Sequence, residues 1–386
     1  MTAALPWVML LFVSQAEPAA AKLPQMIAVD LFQAHPLSDR LRIDGPAEVV
    51  SPLRRSLPAG SYEICSRCGS LSLRFLPGNL RSGGGAGAGK ATVLVAPSFC
   101  LRGSGEHGLL IHYCSSVSRH YRGVLKFKCD RLGKLQVTNN VPVHDYVVSV
   151  VGSETLPSFG KEVLKAQAVL TQSRLAHYRP GDELGDTTER EAYLGSDYER
   201  PGLREAVACV DKKILTYNGL AITPFYHAAC AGGTSAGAVF FGGKSGTLPY
   251  LVSRQCRLCQ GSPFWRQTVS IIPKQVFEKS FGPGYPKIVQ SDAQMRPLKV
   301  VLGNGKTLGG FEFWLRLGQS LGWDKVPGTR YSLSATPQGS LKIASTGAGH
   351  GVGMCQWGAA ELARQGKTYR QILEYYLPGA VLEDQK

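Results

Sequence analysis

The chain has 386 residues, a formal net charge of +15 and a sequence pI of about 9.4. This length can bury a sizeable core in one large domain or two. The charge favours a negatively charged partner such as nucleic acid, an anionic membrane surface or a cell-wall polymer, although a generally basic surface explains it equally well. Because no nucleic-acid motif of recognised spacing occurs, we expect no nucleic-acid partner.

Residues 1–21 have the pattern of a secretory signal peptide. An apolar run from Leu5 to Val13 precedes Ala19 and Ala21, which stand at the small-residue positions of a cleavage site after Ala21. The run is too short to span a membrane, and a buried N-terminal strand or short helix is the alternative. We therefore expect an exported protein, in the periplasm or cell wall, with no transmembrane segment in the mature chain.

Residues 22–121 are predicted to be a β-rich N-terminal region, with further strand signals up to about Val137. Short apolar and β-branched runs between turn residues are typical of strands. Such runs lie at Met26–Phe32, Leu41–Ile43, Leu73–Leu76, Thr92–Val95 and Val124–Phe127. The Gly-rich segment 82–89 predicts a flexible loop.

A strand and a helix are predicted next. The apolar run from Tyr146 to Val151 is typical of a strand, and Glu154 follows it in a predicted loop. The segment from Lys161 to Tyr178 is rich in alanine, which favours helix. Its apolar face has helical spacing and consists of Leu164, Ala168, Thr171 and Leu175.

Turn and cap signals define the remaining elements. Asn218-Gly219 predicts a hairpin. One helix is predicted from Met354 to Gln365, and a capping box of Thr368 with Gln371 predicts a second. We therefore expect an α+β fold in which residues 122–386 form a mixed domain carrying an Ala-rich helix and two C-terminal helices.

Two long ordered motifs lie in this mixed domain. The first runs from Val141 to Tyr178 and contains VP, DY, VGSE and EVLKAQAV; the second begins as GHGVGMCQWGA at Gly349. Dense glycines allow backbone conformations closed to other residues and let a bulky ligand approach. His350 and Gln356 offer polar groups there, which suits a site for a large polar ligand.

These motifs resemble the SpoIID/LytB family, which comprises the sporulation stage II D protein and the amidase-enhancer domain. Ala192-Tyr193-Leu194-Gly195, Tyr226-His227 and Gly232–Thr234 also fit, and the resemblance extends from Arg122 to Leu382. It implies a peptidoglycan lytic transglycosylase that cleaves the MurNAc–GlcNAc bond, with a preference for peptide-stripped glycan strands. The implied process is cell-wall remodelling or cell division.

The resemblance places the catalytic residue at Glu154. Ordinary glycosidases need two carboxylates, whereas one suffices when the C6 hydroxyl of the sugar is the nucleophile. Glu154 would act first as acid and then as base, leaving a 1,6-anhydro end. It must begin protonated, which an apolar setting favours.

The resemblance also implies substrate contacts. The candidates are Lys165, Arg174, Tyr226, His350 and Gln356. The sequence departs from the family in two places. Gln172 stands where the family usually has an arginine, so Arg174 is the nearest substitute. Cys355 replaces the usual serine, and we expect it to be a small buried residue.

Two other functions remain open. A non-catalytic protein of the enhancer branch would bind peptidoglycan and stimulate an N-acetylmuramoyl-L-alanine amidase, and it would not need Glu154. A hydrolase would use water with Asp145, Glu162 or Glu361 as second carboxylate. The V-x-x-E context favours the transglycosylase.

The ten cysteines fit export with disulfides or metal binding. His227-x-x-Cys230 and Cys256-x-x-Cys259 have the spacing of a structural zinc site with three cysteines and one histidine. Such a zinc would pin the loop Gly232–Thr234, and a disulfide between Cys230 and Cys256 is the alternative. For a second C-x-x-C pair, Cys65 and Cys68, no further ligand pair is obvious.

Overall fold

A computed structural model describes most of the chain. The described residues are 22–33, 39–67, 69–76, 91–114, 117–179, 181–182, 184–187, 191–240 and 248–385. They form two compact units, one of Lys22–Lys213 with the residues from Asp384 onward, and one of Ile214–Glu383. The predicted signal peptide and the predicted loop 82–89 lie outside these residues. In the part of the chain so described, no helix has the length and apolar character needed to cross a bilayer.

The first unit is a large sheet with three helices. Its strands are β1 (Met26–Asp30), β2 (Arg40–Ser51), β3 (Arg55–Arg67), β4 (Ser70–Leu76), β5 (Ala91–Ala96), β6 (Ser98–Gly103), β7 (Leu109–Cys114), β8 (Val117–Tyr121), β9 (Val124–Cys129), β10 (Leu135–Pro142) and β11 (Leu184–Gly185). Its helices are α1 (Val143–Glu154), α2 (Lys161–Leu175) and α3 (Leu203–Ala208). The strand order is β11-β1-β10-β9-β6-β2-β3-β4-β5, and β7 pairs with both β2 and β8.

The predicted β-rich N-terminal region is confirmed, because each predicted run overlaps one of these strands, although β1 ends at Asp30, before the predicted Phe32. The predicted domain boundary near residue 122 lies inside this unit. There β10 pairs with β1 on one side and with β9 on the other. The boundary of a functional domain therefore stays a prediction.

The run from Tyr146 to Val151 forms helix α1 and not the predicted strand. All residues from Tyr146 to Gly152 are buried, and α1 packs against α2 and α3. A segment buried on every side shows no amphipathic period, so its sequence does not distinguish strand from helix. Burial here outweighs the strand preference of valine. Glu154 is consequently the last residue of a helix and not part of a loop.

The alanine-rich helix is confirmed as α2, which ends at Leu175, before the predicted Tyr178. Its residues from Ala166 to Ser173 are all buried. Small side chains at Ala166 and Ala168 let the neighbouring helices approach closely, so α2 forms the centre of the helical layer.

The described residues of the second unit form small sheets, five α-helices and two short 3-10 helices. Its strands are β12 (Lys213–Tyr217), β13 (Leu220–Ala221), β14 (Tyr226–His227), β15 (Gly232–Thr234), β16 (Arg254–Cys256), β17 (Thr268–Ile272), β18 (Lys287–Ser291), β19 (Pro297–Val301), β20 (Thr307–Gly309), β21 (Arg330–Ala335), β22 (Leu341–Thr346), β23 (Met354–Cys355) and β24 (Val381–Asp384). Its described helices are α4 (Gly237–Phe240), α5 (Lys274–Phe281), α6 (Gly310–Leu321), α7 (Gln356–Arg364) and α8 (Tyr369–Tyr376). Two short 3-10 helices span Leu258–Gly261 and Pro263–Trp265.

The sheets of the second unit have two or three strands each. The sheets have the orders β13-β12-β24, β17-β22-β21 and β18-β19-β20, with two-stranded pairs β14-β23 and β15-β16. An apolar core around α5 and α6 buries Phe277, Phe313 and Ile343. Taken together, the two units confirm the predicted α+β fold class.

The predicted hairpin and caps of this unit are confirmed. Asn218 and Gly219 both have positive φ, as the tight turn between β12 and β13 requires. The first predicted C-terminal helix begins at Gln356, after the short strand β23. Thr368 and Gln371 form the capping box of α8.

Candidate functional site

Glu154 closes helix α1 and is half-buried. Its Oε1 accepts a hydrogen bond of 2.6 Å from the backbone N–H of Ala192. A carboxylate at a helix C-terminus meets the negative end of the helix dipole, which disfavours its charged form. The N–H donor of Ala192 favours the charged form. The two influences on this carboxylate therefore oppose each other.

Two stacked tyrosines lie in the same unit as Glu154. The buried rings of Tyr146 and Tyr193 stack with centroids 5.2 Å apart. Burial raises the pKa of the Tyr146 hydroxyl well above its usual range, and the charges of Glu191 and Glu154 raise it further. The positive charge of Arg174 acts in the opposite direction. These charged groups thus lie around one neutral, buried phenol.

Glu191 is a buried carboxylate that the sequence analysis missed. Only 3% of its surface is exposed, and its Oε1 accepts a 2.9 Å hydrogen bond from Thr171 Oγ1. Glutamate is rarely so buried. The sequence could have pointed to Glu191, because this residue directly precedes the Ala192-Tyr193-Leu194-Gly195 stretch that fits the family.

The predicted contacts on α2 have partners of their own. Lys165 Nζ lies 2.7 Å from Glu162 Oε1 in an ion pair. Gln172 is buried, and its Nε2 donates a 2.9 Å hydrogen bond to the carbonyl of Val210. The position where the family usually has an arginine therefore stabilises the packing of α2 in this chain. Arg174, half-buried in the last turn of α2, is the cation that acts on Tyr146.

The predicted second carboxylates of a hydrolase are all ion-paired. Asp145 Oδ1 lies 2.7 Å from Arg204 Nη2, and Glu162 is bound by Lys165. Glu361 belongs to the second unit, where Arg364 binds it at 2.7 Å.

The glycine-rich loop of the second unit has the special backbone that its sequence predicts. Gly349, Gly351 and Gly353 all have positive φ. A Cβ on Gly353 would lie 2.0 Å from the carbonyl oxygen of Phe225, so only glycine fits there. The loop thereby enters β23, which pairs in parallel with β14.

This strand pair gathers the other predicted substrate contacts. Tyr226 lies opposite Met354 in the register. His350 is half-buried, and its Nδ1 accepts a 3.2 Å hydrogen bond from the N–H of Val352. Gln356 is buried as the first residue of α7. The second unit therefore holds Tyr226, His350 and Gln356, while Glu154, Lys165 and Arg174 belong to the first.

His227 presents a ring nitrogen suited to bind a metal. Its Nδ1 lies 3.0 Å from the carbonyl oxygen of Val352, so Nδ1 carries the proton and Nε2 has the lone pair. Within the described residues Nε2 is buried without a hydrogen-bond partner. Burial lowers the pKa of His227 well below its usual range, and the charges of His350 and Arg296 lower it further. A neutral imidazole held through one nitrogen is typical of metal ligands.

Four buried thiols lie in the same unit as this histidine. They are Cys230, Cys256, Cys259 and Cys355, and all four are free. Cys230 Sγ and Cys259 Sγ lie 3.5 Å apart. A hydrogen bond with the Cys230 thiol is the main cause that lowers the pKa of Cys256, to about 7, and it also lowers the pKa of Cys259. Such a group of sulfur atoms and one imidazole has the donor chemistry that Zn²⁺ prefers.

Of the four predicted metal ligands, His227 and Cys230 form one group of ligand atoms with a further donor, Cys355, while Cys259 contacts Cys230. The ligand atoms of His227, Cys230 and Cys355 all lie within 4.8 Å of one another. The other C-x-x-C pair is described only at Cys65, whose thiol contacts Glu63 at 3.3 Å. Cys68 lies outside the described residues.

Comparison with known proteins identifies the family. Residues 131–217 match the family described as Stage II sporulation protein. Stage II sporulation protein D of Bacillus subtilis (strain 168) is 28% identical over 277 residues, covering 64% of this chain and 76% of that protein. Its namesake in Bacillus amyloliquefaciens is 28% identical over 274 residues, covering 64% and 75%. The amidase enhancer of Bacillus subtilis (strain 168) is 25% identical over 293 residues, covering 60% of this chain and 39% of that protein. These similarities support the assignment of the chain to the SpoIID/LytB family.

Proposed function

We propose that the protein is an exported lytic transglycosylase that cleaves the MurNAc–GlcNAc bond of peptide-stripped glycan strands during cell-wall remodelling or division. The observation that carries the proposal is the setting of Glu154 in the family motif. It is half-buried at a helix C-terminus and accepts a hydrogen bond from the N–H of Ala192. The relatives named for sporulation stage II and for amidase enhancement support a role at the cell wall.

Glu154 would donate a proton in the first step and accept a proton in the second. As an acid it protonates the glycosidic oxygen, and the bond from that oxygen to C1 of the muramic acid breaks. As a base it then takes the proton of the C6 hydroxyl while that oxygen bonds to C1. The nucleophile belongs to the same sugar, so effective molarities on the order of 10⁵ M or more are available when it is well oriented.

Charge and targeting agree with this substrate. The net charge of +15 complements the carboxylates of muramic acid in a cell-wall polymer. The signal-peptide pattern of residues 1–21 directs such a protein across the membrane to the periplasm or cell wall.

The cysteine cluster would hold a structural zinc ion. His227, Cys230, Cys256 and Cys259, the set expected from the sequence, are all buried, and Cys230 contacts Cys259 at 3.5 Å. The unpartnered Nε2 of His227 and the free thiols fit this ion. A bound zinc supplies a tetrahedral crosslink. This zinc would hold strand β15, which follows Cys230, in place. It would take no part in glycan cleavage.

Digestion of peptide-stripped glycan with the mature protein tests the activity. We expect products that end in 1,6-anhydro-N-acetylmuramic acid, each lighter by one water than a hydrolytic product in mass spectrometry. Products with only reducing ends would instead show a hydrolase, with the buried Glu191 as the next carboxylate to vary.

The second candidate is a non-catalytic enhancer of an N-acetylmuramoyl-L-alanine amidase, which the similarity to an amidase enhancer favours. Glycan binding without cleavage, together with faster turnover by an added amidase, would establish this function and reject the transglycosylase.

A further inference from the structure

Cys355 lies beside the metal-binding histidine because of the strand pairing. In the parallel pair of β14 and β23, Cys355 is the register partner of His227. Its side chain is fully buried, and its sulfur lies within 4.8 Å of the ligand atoms of His227 and Cys230. The sequence offered no spacing that links these residues, since β14 and β23 are far apart in the chain.

Several polar groups contact the Cys355 sulfur, but burial raises the pKa of its thiol well above the usual range, so a thiolate there requires a bound cation. The backbone N–H groups of Cys230 and Gly358 donate to it at 3.3 and 3.4 Å. Hydrogen bonds to the charged form of a group favour that form. A buried cation also lies close, because Arg296 Nη2 donates a 2.7 Å hydrogen bond to the carbonyl of Cys230. The thiol itself donates to the carbonyl of Ala228 at 3.8 Å.

We infer that Cys355 is itself a zinc ligand, together with His227 and Cys230. This inference rests on the zinc proposed above. A structural zinc takes four ligands, so Cys355 replaces one of the two cysteines, Cys256 or Cys259, in the set expected from the sequence, and the other supplies the fourth ligand. The metal thus joins three segments that are distant in sequence, namely β14 with the following turn, the C-x-x-C turn, and the end of the glycine-rich loop.

The consequence concerns the predicted substrate contacts. His350 precedes Cys355 in the glycine-rich loop, and Gln356 follows it directly. A zinc ion bound by Cys355 holds the end of this loop against β14. Metal removal should therefore loosen the loop that carries His350 and the start of α7 that carries Gln356.

Cys355→Ser is a well-matched variant for the test. Cys355 is the N-cap of α7, with its side chain accepting from the N–H of Gly358. Serine is a preferred N-cap residue, so the variant keeps the start of the helix and loses only the thiolate. Cys209→Ser is the control, because Cys209 is an exposed thiol of the first unit.

Zinc competition titration and cobalt substitution provide the readouts. Loss of outer-shell partners already weakens metal binding by about 10- to 100-fold, so loss of a direct ligand should weaken zinc binding by more than about 100-fold. The thiolate-to-cobalt absorption should fall by about a third, as one of three sulfur ligands is lost. Cys209→Ser should match the wild type in both measurements.

The possible failures are distinguishable. If the wild type binds neither zinc nor cobalt, the proposed zinc site itself is wrong. If the wild type binds both metals and Cys355→Ser keeps the same affinity and absorption, the ligand assignment alone is wrong.

A measurement on the wild type covers the case in which the variant fails to fold. Zinc-loaded protein is alkylated in moderate denaturant and its peptides are mapped by mass. Cys355 should react as slowly as Cys230 and become as reactive as Cys209 after chelation. Fast labelling of Cys355 in the zinc-loaded protein would overturn the inference.

Discussion

The hydroxyl of Tyr376 lies 3.3 Å from the sulfur of Cys256. Tyr376 is buried at the end of α8, and a Cβ on Gly358 of α7 would lie 2.0 Å from its hydroxyl oxygen. The absence of a side chain at Gly358 thus lets the phenol reach the cysteine cluster. Both C-terminal helices therefore contribute to the surroundings of the proposed zinc site.

Replacing Tyr376 by phenylalanine should weaken zinc binding. The variant removes only the hydroxyl that contacts Cys256, and outer-shell partners of this kind typically contribute about 10- to 100-fold in metal affinity. Competition titration measures the change. Tyr375→Phe is the control, because the neighbouring hydroxyl donates to the carbonyl of Gln255 instead. Equal effects of the two variants would contradict a role of Tyr376 at the metal site.

Glu154→Gln should abolish glycan cleavage while the protein stays folded. The amide cannot donate and then accept the proton, and general acid–base catalysis typically contributes about 10²- to 10⁴-fold in rate. Product release from peptide-stripped glycan measures the loss, and thermal unfolding checks the fold. Glu162→Gln, which removes an ion-paired carboxylate of α2, serves as control. Undiminished cleavage by Glu154→Gln would remove Glu154 from the mechanism.

Two glycines with similar φ separate backbone strain from steric clash. Gly353 and Gly366 both have positive φ, but only a Cβ on Gly353 meets another group, the carbonyl of Phe225. Gly366→Ala should lower the free energy of unfolding by about 1 to 2 kcal/mol, because alanine is strained in the left-handed backbone conformation. Gly353→Ala should lower the free energy of unfolding by about 1 to 3 kcal/mol more than Gly366→Ala does, because its Cβ overpacks against the carbonyl of Phe225. Denaturant unfolding measures both variants, and equal losses would contradict the close packing of the loop.

Asp44 should contribute to stability in a pH-dependent way. Burial by itself raises the pKa of Asp44, but hydrogen bonds from Ser61 and His112 outweigh it and hold the pKa below 3.8. The unfolded chain therefore binds more protons in acid, so this stability is present above about pH 4 and is lost as the pH falls further through the folded value.

Asp44→Asn provides the test. At about pH 6 the wild type should be more stable than the variant, by about 1 kcal/mol or less because the pair with His112 is partly exposed. This difference should shrink toward zero below about pH 3. Thermal unfolding over this range measures it, and a difference that stays constant with pH would show that the charge of Asp44 is not its source.

The elements that the sequence predicted correctly depend on contacts between near neighbours. The capping box of Thr368 and Gln371, the turn at Asn218-Gly219 and the alanine-rich helix α2 each follow from residues a few positions apart. Local hydrogen bonds and backbone preferences determine such elements. The strands of the N-terminal region were likewise predictable from their composition and turns.

Tertiary structure decided the rest, because it depends on residues that are distant in the chain. The valine-rich run before Glu154 is a helix, since it is buried on every side by α2 and α3. Ala192 meets Glu154 only through the packing of the first unit. Cys355 could be assigned to the cysteine cluster only from the pairing of β14 with β23, because a parallel pair brings together residues that no local spacing connects.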